Sequence, residues 1–376
     1  MSFDEILEAA LERAATDVIL KGGRPPAFRI ANQLLAQTEL GVLSPRDVED
    51  IVDELFDEYR KKRFLAELHA DFAHETPRGR FRVNVFRQRG QLALAVRLIS
   101  PTIRTCAQLH LPPVVERLAE ERRGLVLVTG ATGSGKSTTL AAMIDHINRT
   151  RAAHVITIED PIEYLHEDKK SFVEQREVGY DAVDFASALK AALRQNPDVI
   201  LVGEMRDLET IRTALLAAET GHLVLSTLHT TDAPQTITRT ISTFPEAQRD
   251  EVRLVLASVV KGIVSQRLVP RADGQGLVPA VEVLVASERT REYIADRDKT
   301  RALRDVIAQG HESYGMQTFD QSLMALYRAG LVSYEEALAH ATNPSDFALR
   351  ASGIASSDGH WRGFDDREEK VEIERF

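Results

Sequence analysis

The chain has 376 residues, a formal net charge of −10 and one cysteine, Cys106. This length suits two domains of roughly 100–200 residues each, and a single cysteine excludes both a disulfide framework within the chain and a cysteine-based zinc site. The negative charge argues against affinity of the whole protein for nucleic acid or anionic lipid. No segment approaches the ~18 consecutive apolar residues of a membrane span, and the acidic start does not resemble a signal peptide. We therefore expect a cytoplasmic protein that is at most peripheral to a membrane.

Helix and strand signals alternate along the first part of the chain. Ser2 and Glu5 form a capping-box pattern that predicts a first helix. Residues 18–20 and 28–30 predict two short strands around a turn rich in glycine and proline. The Ser-Pro pair at 44–45 predicts the start of another helix, because serine caps helices and proline is favoured at their first position.

A basic hairpin follows. Residues 79–99 alternate apolar and polar side chains and turn at Arg89-Gly90, which predicts two antiparallel strands. Residues 76–104 contain no acidic residue and carry seven arginines, which are Arg78, Arg80, Arg82, Arg87, Arg89, Arg97 and Arg104. These arginines either form a solvated sheet face or bind an anion. A linker with three prolines at 100–113 leads us to assign residues 1–106 to an N-terminal domain.

The region after this linker has a different rhythm. Short, continuous apolar runs separated by helical segments predict buried parallel strands in βαβ units. The runs are residues 125–129, 155–158, 199–202 and 223–226. We assign residues 107–285 to this α/β core, and we expect the chain after Pro234 to be mostly helical.

Helices and a polar tail complete the chain. We predict a C-terminal helical region at 286–351, with one well-marked helix over 318–330. Residues 352–376 are rich in Ser, Gly, Asp and Glu and include the single tryptophan, Trp361. This composition predicts a disordered tail.

A phosphate-binding signature follows the first buried run. It matches G-x-x-x-x-G-K-[ST] and consists of Gly130, Ala131, Thr132, Gly133, Ser134, Gly135, Lys136 and Ser137, with Thr138 next. The glycines let backbone N–H groups face the phosphates of ATP, Lys136 reaches the β- and γ-phosphates, and Ser137 offers its hydroxyl to Mg²⁺. The loop stands between an apolar strand and a helix, as the motif requires, which disfavours a simple flexible turn.

Two acidic segments follow buried strands further along. Glu204 comes directly after the run 199–202, and we expect its strand to lie beside the P-loop strand. Glu204 would then bind Mg²⁺ directly or through a water molecule. Residues 159–163 follow the run 155–158 and end in Glu163. Their carboxylates either activate the water that attacks the γ-phosphate or form a solvated acidic turn, and the residues alone leave both readings open.

Two histidines, His222 and His229, flank residues 223–228. They lack a third ligand at a suitable spacing, which argues against zinc. One or both either hydrogen-bond the γ-phosphate or have a structural role.

Together these segments resemble the secretion ATPase superfamily, and within it the type IV pilus retraction ATPases. The resemblance extends over most of the chain and rests on four motifs in order: Walker A, Asp box, atypical Walker B and His box. They occupy residues 130–137, 156–163, 193–207 and 220–230. The resemblance implies an α/β protein in which a PAS-like N-terminal domain precedes a RecA-like P-loop ATPase core with C-terminal helices.

The resemblance also implies roles for particular residues. Glu163 would be the general base, Glu204 the acid near Mg²⁺, and His222 and His229 would lie around the γ-phosphate. Lys136 would act in catalysis as well as in binding.

In this family arginines of the N-terminal domain contact a nucleotide within a ring of subunits, and Arg82 and Arg97 match them. Arginine suits this role because its charge is permanent and its planar fork binds phosphate oxygens in pairs. The solvated interpretation is kept for Arg78, Arg80 and Arg89. The resemblance implies a homohexamer on the cytoplasmic face of the inner membrane, acting on a pilus platform protein.

The choice of subfamily depends on two absences and one departure. Assembly and secretion members generally carry a further N-terminal domain and a four-cysteine zinc module, for which this chain is too short and too poor in cysteine. Retraction members carry Ala-Ile-Arg-Asn-Leu-Ile where residues 289–294 read Arg-Thr-Arg-Glu-Tyr-Ile. Three alternatives to a retraction motor therefore stay open: an assembly or secretion ATPase, a regulatory ring ATPase, and, more distantly, a nucleic-acid translocase that binds through residues 78–104.

Overall fold

The computed structural model describes residues 2–30, 33–99 and 102–353, together with Trp361. These residues form two compact units. The first unit comprises the described residues up to Ile103 and, in addition, the short segment Pro161–Leu165. The second comprises Arg104–Asp160 and the described residues from His166 onward. Among the described helices, none combines the length and the apolar character needed to cross a bilayer.

The helices and strands of the first unit are, in chain order, α1 (Phe3–Glu12), β1 (Asp17–Lys21), β2 (Ala27–Ile30), β3 (Gln33–Ala36), α2 (Pro45–Leu55), α3 (Glu58–Glu67), β4 (His69–Thr76), β5 (Gly79–Gln88) and β6 (Gln91–Ile99). Capping chemistry sets where the first two helices begin. The Ser2 side chain accepts from the Glu5 amide while the Glu5 carboxylate accepts from the Ser2 amide, and Ser44 with Asp47 repeats the arrangement at α2. Both predicted helix starts are confirmed.

The described strands of this unit form an antiparallel sheet in the order β3-β2-β1-β6-β5-β4. Arg89 and Gly90 have φ values of 49° and 79° and make the two-residue turn between β5 and β6, which confirms the hairpin over residues 79–99. Phe81, Val83 and Val85 are fully buried on one face of β5. An N-terminal α/β domain is thus confirmed.

The strands of the second unit are β7 (Gly124–Thr129), β8 (His154–Glu159), β9 (Phe172–Glu177), β10 (Val199–Val202), β11 (Leu223–Leu228), β12 (Val260–Pro270) and β13 (Leu277–Val285). Its helices are α4 (Val114–Ala119), α5 (Lys136–Thr150), α6 (Phe185–Ala192), α7 (Leu208–Glu219), α8 (Ala233–Ser242), α9 (Arg249–Val259), α10 (Glu288–Ala295), α11 (Leu303–Gln309), α12 (His311–Tyr314), α13 (Phe319–Arg328), α14 (Tyr334–His340) and α15 (Pro344–Ala351).

These strands form one sheet in the order β13-β12-β7-β11-β10-β8-β9. The four predicted strands, β7, β8, β10 and β11, are present and parallel. The expectation that the strand of Glu204 lies beside the P-loop strand is wrong, because β11 lies between β10 and β7. Helices α4 and α5 cover one face of the sheet, whereas α6 to α11 supply the apolar layer on the other.

The expectation of a mostly helical chain after Pro234 is wrong for two long strands, β12 and β13. Helix α9 ends at Val259 and β12 begins at Val260 without an intervening turn. The apolar run across this junction fits a buried helix as well as a buried strand, so periodicity alone does not separate them.

The C-terminal helices enclose a separate apolar cluster with the ends of β12 and β13. Helix α13 is capped by Thr318, which confirms the predicted helix start. Trp361 does not belong to a disordered tail: it is 2% exposed, and its indole Nε1 donates to Asp346 Oδ2 at 2.5 Å. Ser352, at the start of the predicted tail, caps the end of α15, whereas residues 354–360 and 362–376 lie outside the described residues.

Candidate functional site

The loop between β7 and α5 adopts a conformation that depends on its glycines. Gly130, Gly133 and Gly135 have φ values of 147°, 79° and 89°, a region that other residues rarely adopt. Gly130 also has no room for a side chain, since a Cβ there would lie 2.4 Å from Ser134 Oγ and 2.6 Å from the Gln266 carbonyl oxygen. The loop therefore requires the glycine pattern that a phosphate-binding backbone needs.

Lys136 begins α5 with a mostly buried side chain. Its ammonium donates to the carbonyl oxygens of Gly130 (3.0 Å) and Ala131 (2.9 Å), so the charge lies over the loop. The Ser134 hydroxyl is buried, and among the described residues it has no hydrogen-bond partner. A concentrated positive charge and an unsatisfied buried hydroxyl at a glycine loop suit phosphate oxygens.

Glu204 lies at the same edge of the sheet as this loop. Because β7, β10 and β11 are parallel, the residues that follow them meet at one edge. The Glu204 carboxylate is 2.7 Å from Arg206 Nε and 3.5 Å from His229 Nε2. The predicted acid and one predicted histidine are thus brought together.

Hydrogen bonds to β11 hold the backbone around Glu204. Thr227 Oγ1 donates to the Gly203 carbonyl oxygen at 2.6 Å, and the Met205 amide donates to the Thr227 carbonyl oxygen at 3.2 Å. Glu204 is 17% exposed, whereas His229 is 44% exposed. The carboxylate is consequently fixed, while the histidine is accessible from solvent.

His222 lies at the opposite end of β11, and its prediction as a γ-phosphate contact is wrong for the P-loop of its own chain. It precedes Leu223, the first residue of β11, which pairs with Gly124 at the start of β7. Six strand residues span about 20 Å. The imidazole Nδ1 instead lies 2.9 Å from the Ala217 carbonyl oxygen, so His222 has a structural contact at the end of α7.

The acidic segment after β8 is divided between the two units. Glu159, the last residue of β8, accepts from Thr157 Oγ1 at 2.7 Å and from Gln175 Nε2 at 3.2 Å. Glu163 belongs to the first unit, where its carboxylate lies 3.7 Å from Arg82 Nη1. The Glu163 side chain is 39% exposed and has this guanidinium close to it. Its role as base stays a prediction.

Arg82 and Arg97 face each other directly across the β5–β6 pair. Like charges in this position repel, and each has a carboxylate close by. Arg82 binds Asp71 through Nε (3.1 Å) and Nη2 (2.6 Å), whereas Arg97 Nε lies 3.0 Å from Asp17. Arg97 is 69% exposed. Their contact with a nucleotide stays a prediction.

The sequence predicts that Arg80 is solvated, and this prediction is wrong. Its side chain is 13% exposed, and its Nε donates to the Ile162 carbonyl oxygen at 3.2 Å. Arg78 and Arg89 are exposed, as expected. Burial of Arg80 follows from its contact with the segment Pro161–Leu165, which sequence patterns did not place in the first unit.

The segment that departs from the retraction motif forms most of α10. Ser287 caps this helix in a capping box with Thr290. Ile294, one of the two positions that match the motif, is 1% exposed in the core, and the other, Arg291, is exposed. The mismatched residues Arg289 and Tyr293 contact each other, with the guanidinium 5.6 Å from the ring centroid.

Sequence reasoning missed a buried charged cluster next to His229. Glu282 on β13 is 3% exposed, and its Oε1 accepts from the Ala233 amide at 2.9 Å. Burial, with a smaller contribution from the nearby Asp232 carboxylate, raises the pKa of Glu282 to about 7. The signal available in the sequence was a lone glutamate within the apolar run 278–285.

These features define a class of protein. A glycine loop between a buried parallel strand and a helix, with a lysine over the loop, is the site of a P-loop nucleoside triphosphatase. Ser137, on the first turn of α5, and Glu204 present the hydroxyl and carboxylate oxygens that Mg²⁺ prefers. The residues present therefore fit a magnesium nucleotide.

Comparisons with known proteins narrow the class. Residues 93–293 match the family described as "Type II/IV secretion system protein". The chain is 43% identical over 348 residues to the type IV pilus retraction ATPase PilT of Pseudomonas aeruginosa. The matched residues cover 92% of this chain and 100% of that protein. It is 40% identical to the type IV pilus ATPase PilU of the same organism, with 95% and 93% covered. A crystal structure of the PilT retraction motor with bound ADP matches with a TM-score of 0.84 at 44% identity, covering 92% of this chain and 98% of that one.

The chain belongs to the type II/IV secretion system protein family, and the predicted resemblance to its pilus retraction ATPases is confirmed. The fold class predicted from that resemblance, an N-terminal α/β domain before a P-loop ATPase core, is confirmed as well.

Proposed function

We propose that this chain is an ATP-hydrolysing motor subunit that powers the retraction of type IV pili. One observation carries the proposal: the P-loop, Lys136 and the Glu204–His229 pair share one sheet edge. They do so in a chain that matches a pilus retraction ATPase along 92% of its length.

ATP binding depends on the P-loop. Phosphate oxygens replace the carbonyl oxygens of Gly130 and Ala131 as acceptors of the Lys136 ammonium, and the Ser134 hydroxyl gains a partner. Ser137 and Glu204 would hold Mg²⁺, the latter directly or through a water molecule, and the ion would offset the negative charge of the β- and γ-phosphates. Helix α5, which follows the loop, is joined to β12 by the Gln266 side chain, which donates to Thr139 Oγ1 at 2.8 Å.

Hydrolysis requires a base for the attacking water and a donor for the γ-phosphate. Glu163 acts as the base, and Arg82 orients its carboxylate. His229 donates to the γ-phosphate, with Glu204 beside its Nε2. Glu163→Gln is expected to retain ATP binding and to lose turnover.

Assembly completes the proposal. The chain works as a homohexamer at the cytoplasmic face of the inner membrane, where it acts on a pilus platform protein and not on nucleic acid. Arg82 and Arg97, opposite each other on β5 and β6, contact a nucleotide bound within the ring. Similarity to a pilus retraction ATPase that covers nearly all of both chains supports this arrangement.

One observation favours a second function, that of a regulatory ring ATPase. Only Arg291 and Ile294 match the retraction motif on α10. Such a subunit would bind ATP and assist another motor without generating force alone.

A count of surface pili tests the proposal. Cells without this chain are compared with cells that carry Glu204→Gln, and Glu219→Gln serves as control because Glu219 is an exposed glutamate at the end of α7. Abundant pili that do not retract in the first two strains, with normal retraction in the control, support a retraction motor. Bald cells would instead indicate an assembly or secretion ATPase, and unchanged pili would favour the regulatory ATPase.

A further inference from the structure

Glu282 is a buried carboxylate in the middle of an apolar sheet. It lies on β13 between Val281 and Val283, which are 1% and 0% exposed. Burial of a carboxylate is costly unless hydrogen bonds or opposite charges compensate it. Glu282 accepts a hydrogen bond from Ala233, the first residue of α8, so the buried carboxylate fixes the start of that helix.

Ala233 closes a short turn that starts at His229. Asp232 caps α8, with its side chain accepting from the Gln235 amide at 2.8 Å. Thr230 Oγ1 lies 2.7 Å from Thr236 Oγ1, one turn into the helix. The residues between His229 and α8 are thus tied to the helix, and Glu282 ties the helix end to β13.

Two arginines complete the cluster. Arg304 on α11 donates to Asp232 Oδ2 at 2.8 Å, and both Arg304 and Arg267 of β12 attract the charge of Glu282. Arg267 itself is held with its guanidinium carbon 3.9 Å from the ring centroid of Phe319. Two acidic and two basic side chains from four separate segments therefore meet at the start of α8.

We propose that Glu282 is a positioning residue for hydrolysis: from β13 it holds the turn 230–233, and thereby keeps His229 directed at Glu204. The proposal rests on the function proposed above for His229. Its structural basis is the hydrogen bond of Glu282 to Ala233 and the hydrogen bonds that join Asp232 and Thr230 to α8. His229 directly precedes this anchored turn in the chain, and its Nε2 is 3.5 Å from Glu204.

Protonation changes the strength of this hold. An oxygen of Glu282 accepts from the Ala233 amide in either state, but only the carboxylate makes a charge-assisted hydrogen bond and attracts Arg267 and Arg304. Asp232 opposes the charged form. Because the pKa of Glu282 is raised to about 7, the hold is stronger at pH 8 than at pH 6.

Glu282→Gln tests the proposal, since it keeps the size and an acceptor oxygen but removes the charge. At pH 8 we expect kcat to fall about tenfold with KM for ATP changed by less than about twofold, and we expect the wild-type to variant ratio to shrink toward one at pH 6. A merely structural residue would lower the melting temperature without this pH dependence. Ser322→Ala is the matched control: Ser322 accepts from the Val281 amide, next to Glu282, and is also buried.

A double-mutant cycle with His229→Asn distinguishes an effect of Glu282 that acts through His229 from one that is independent of His229. If Glu282 acts through His229, Glu282→Gln changes kcat by less than about twofold in the His229→Asn background, whereas Ser322→Ala has the same small effect in both backgrounds. An equal loss of kcat from Glu282→Gln with and without His229 overturns the inference while leaving the proposed function intact. Normal hydrolysis by His229→Asn alone overturns the proposed role of His229 and the inference with it. Should Glu282→Gln not fold, Glu282→Asp shortens the reach and enters the same cycle.

Discussion

The P-loop and the cluster around Glu282 hold neighbouring parts of the same site by different chemistry. The P-loop consists of consecutive residues whose conformation depends on glycine backbone and whose charge is carried by Lys136. The Glu282 cluster joins four distant segments through buried side chains, and its central carboxyl has a pKa of about 7.

This difference separates two requirements of the site. Phosphate binding rests on backbone geometry, which does not change with pH. The orientation of His229 rests on a group that gains or loses a proton near neutrality. We therefore expect ATP affinity and ATP turnover to respond differently to pH and to mutation.

Gly130→Ala gives the largest expected effect. Its φ of 147° and the 2.4 Å approach of a Cβ to Ser134 Oγ force the loop to shift, and we expect ATP affinity to fall by on the order of 1,000-fold, equally at pH 6 and pH 8. Gly133→Ala is the control, because a Cβ there meets no described atom within 4 Å. Its only strain comes from the φ of 79°, and we expect ATP affinity to fall roughly tenfold. Fluorescent-nucleotide titration measures both affinities. Equal losses of ATP affinity in the two variants would contradict the statement that ATP binding depends on the close-packed backbone at Gly130.

The two histidines at the ends of β11 give the next effect. In the proposed mechanism His229 donates to the γ-phosphate, so we expect His229→Asn to lower kcat on the order of 100-fold with ATP binding retained. His222→Asn changes a contact with the Ala217 carbonyl oxygen at the other end of the strand, and kcat should stay within about twofold of wild type. A large loss in steady-state hydrolysis from His222→Asn would show that both ends of β11 serve a nucleotide.

We expect the unfolding free energy of the protein to depend on pH through the titration of Glu282. Its pKa is raised in the folded state, from 4.5 to about 7, so the folded state binds more protons in this interval and the contribution to stability is lost as pH rises through 7. The difference in unfolding free energy between wild type and Glu282→Gln should therefore fall between pH 4.5 and pH 7, by on the order of 3 kcal/mol. Urea unfolding at four pH values measures it. His166, whose pKa burial lowers to about 4, has the opposite slope but is common to both proteins.

Arg97→Gln gives the smallest effect on stability. The side chain is 69% exposed and its ion pair with Asp17 is screened by solvent, so the unfolding free energy should change by less than about 1 kcal/mol. Lower turnover in the same variant would then report a contact with nucleotide rather than a loss of fold. Turnover that matches wild type would remove Arg97 from the proposed site.

Sequence patterns predicted the local part of the site and missed the long-range part. The P-loop is contiguous, so its residues and their roles are legible in order along the chain. Glu282, Arg304 and Asp232 are far apart in sequence and meet only because β13 and α11 pack at the start of α8. Hydrophobic periodicity reports only local structure, so it does not predict such long-range contacts. It also failed to predict β12 and β13.

Two errors have the same physical origin. His222 and His229 are close in sequence, but the extended strand between them places them about 20 Å apart, which adjacency in the chain conceals. Arg80 reads as one of several exposed arginines, yet it is mostly buried by the segment Pro161–Leu165, which lies about eighty residues further along. In both cases the position of the side chain is set by contacts or distances that the order of residues along the chain does not contain.

In the proposed function, ATP is bound at the P-loop and hydrolysed with Glu163 as the base. ATP binding and steady-state turnover of purified Glu163→Gln test it most directly, because the amide keeps the size of the side chain beside Arg82 but cannot accept the proton. We expect affinity within about threefold of wild type and turnover lower by at least roughly 100-fold. Turnover close to that of wild type, with ATP bound normally, would contradict the claim.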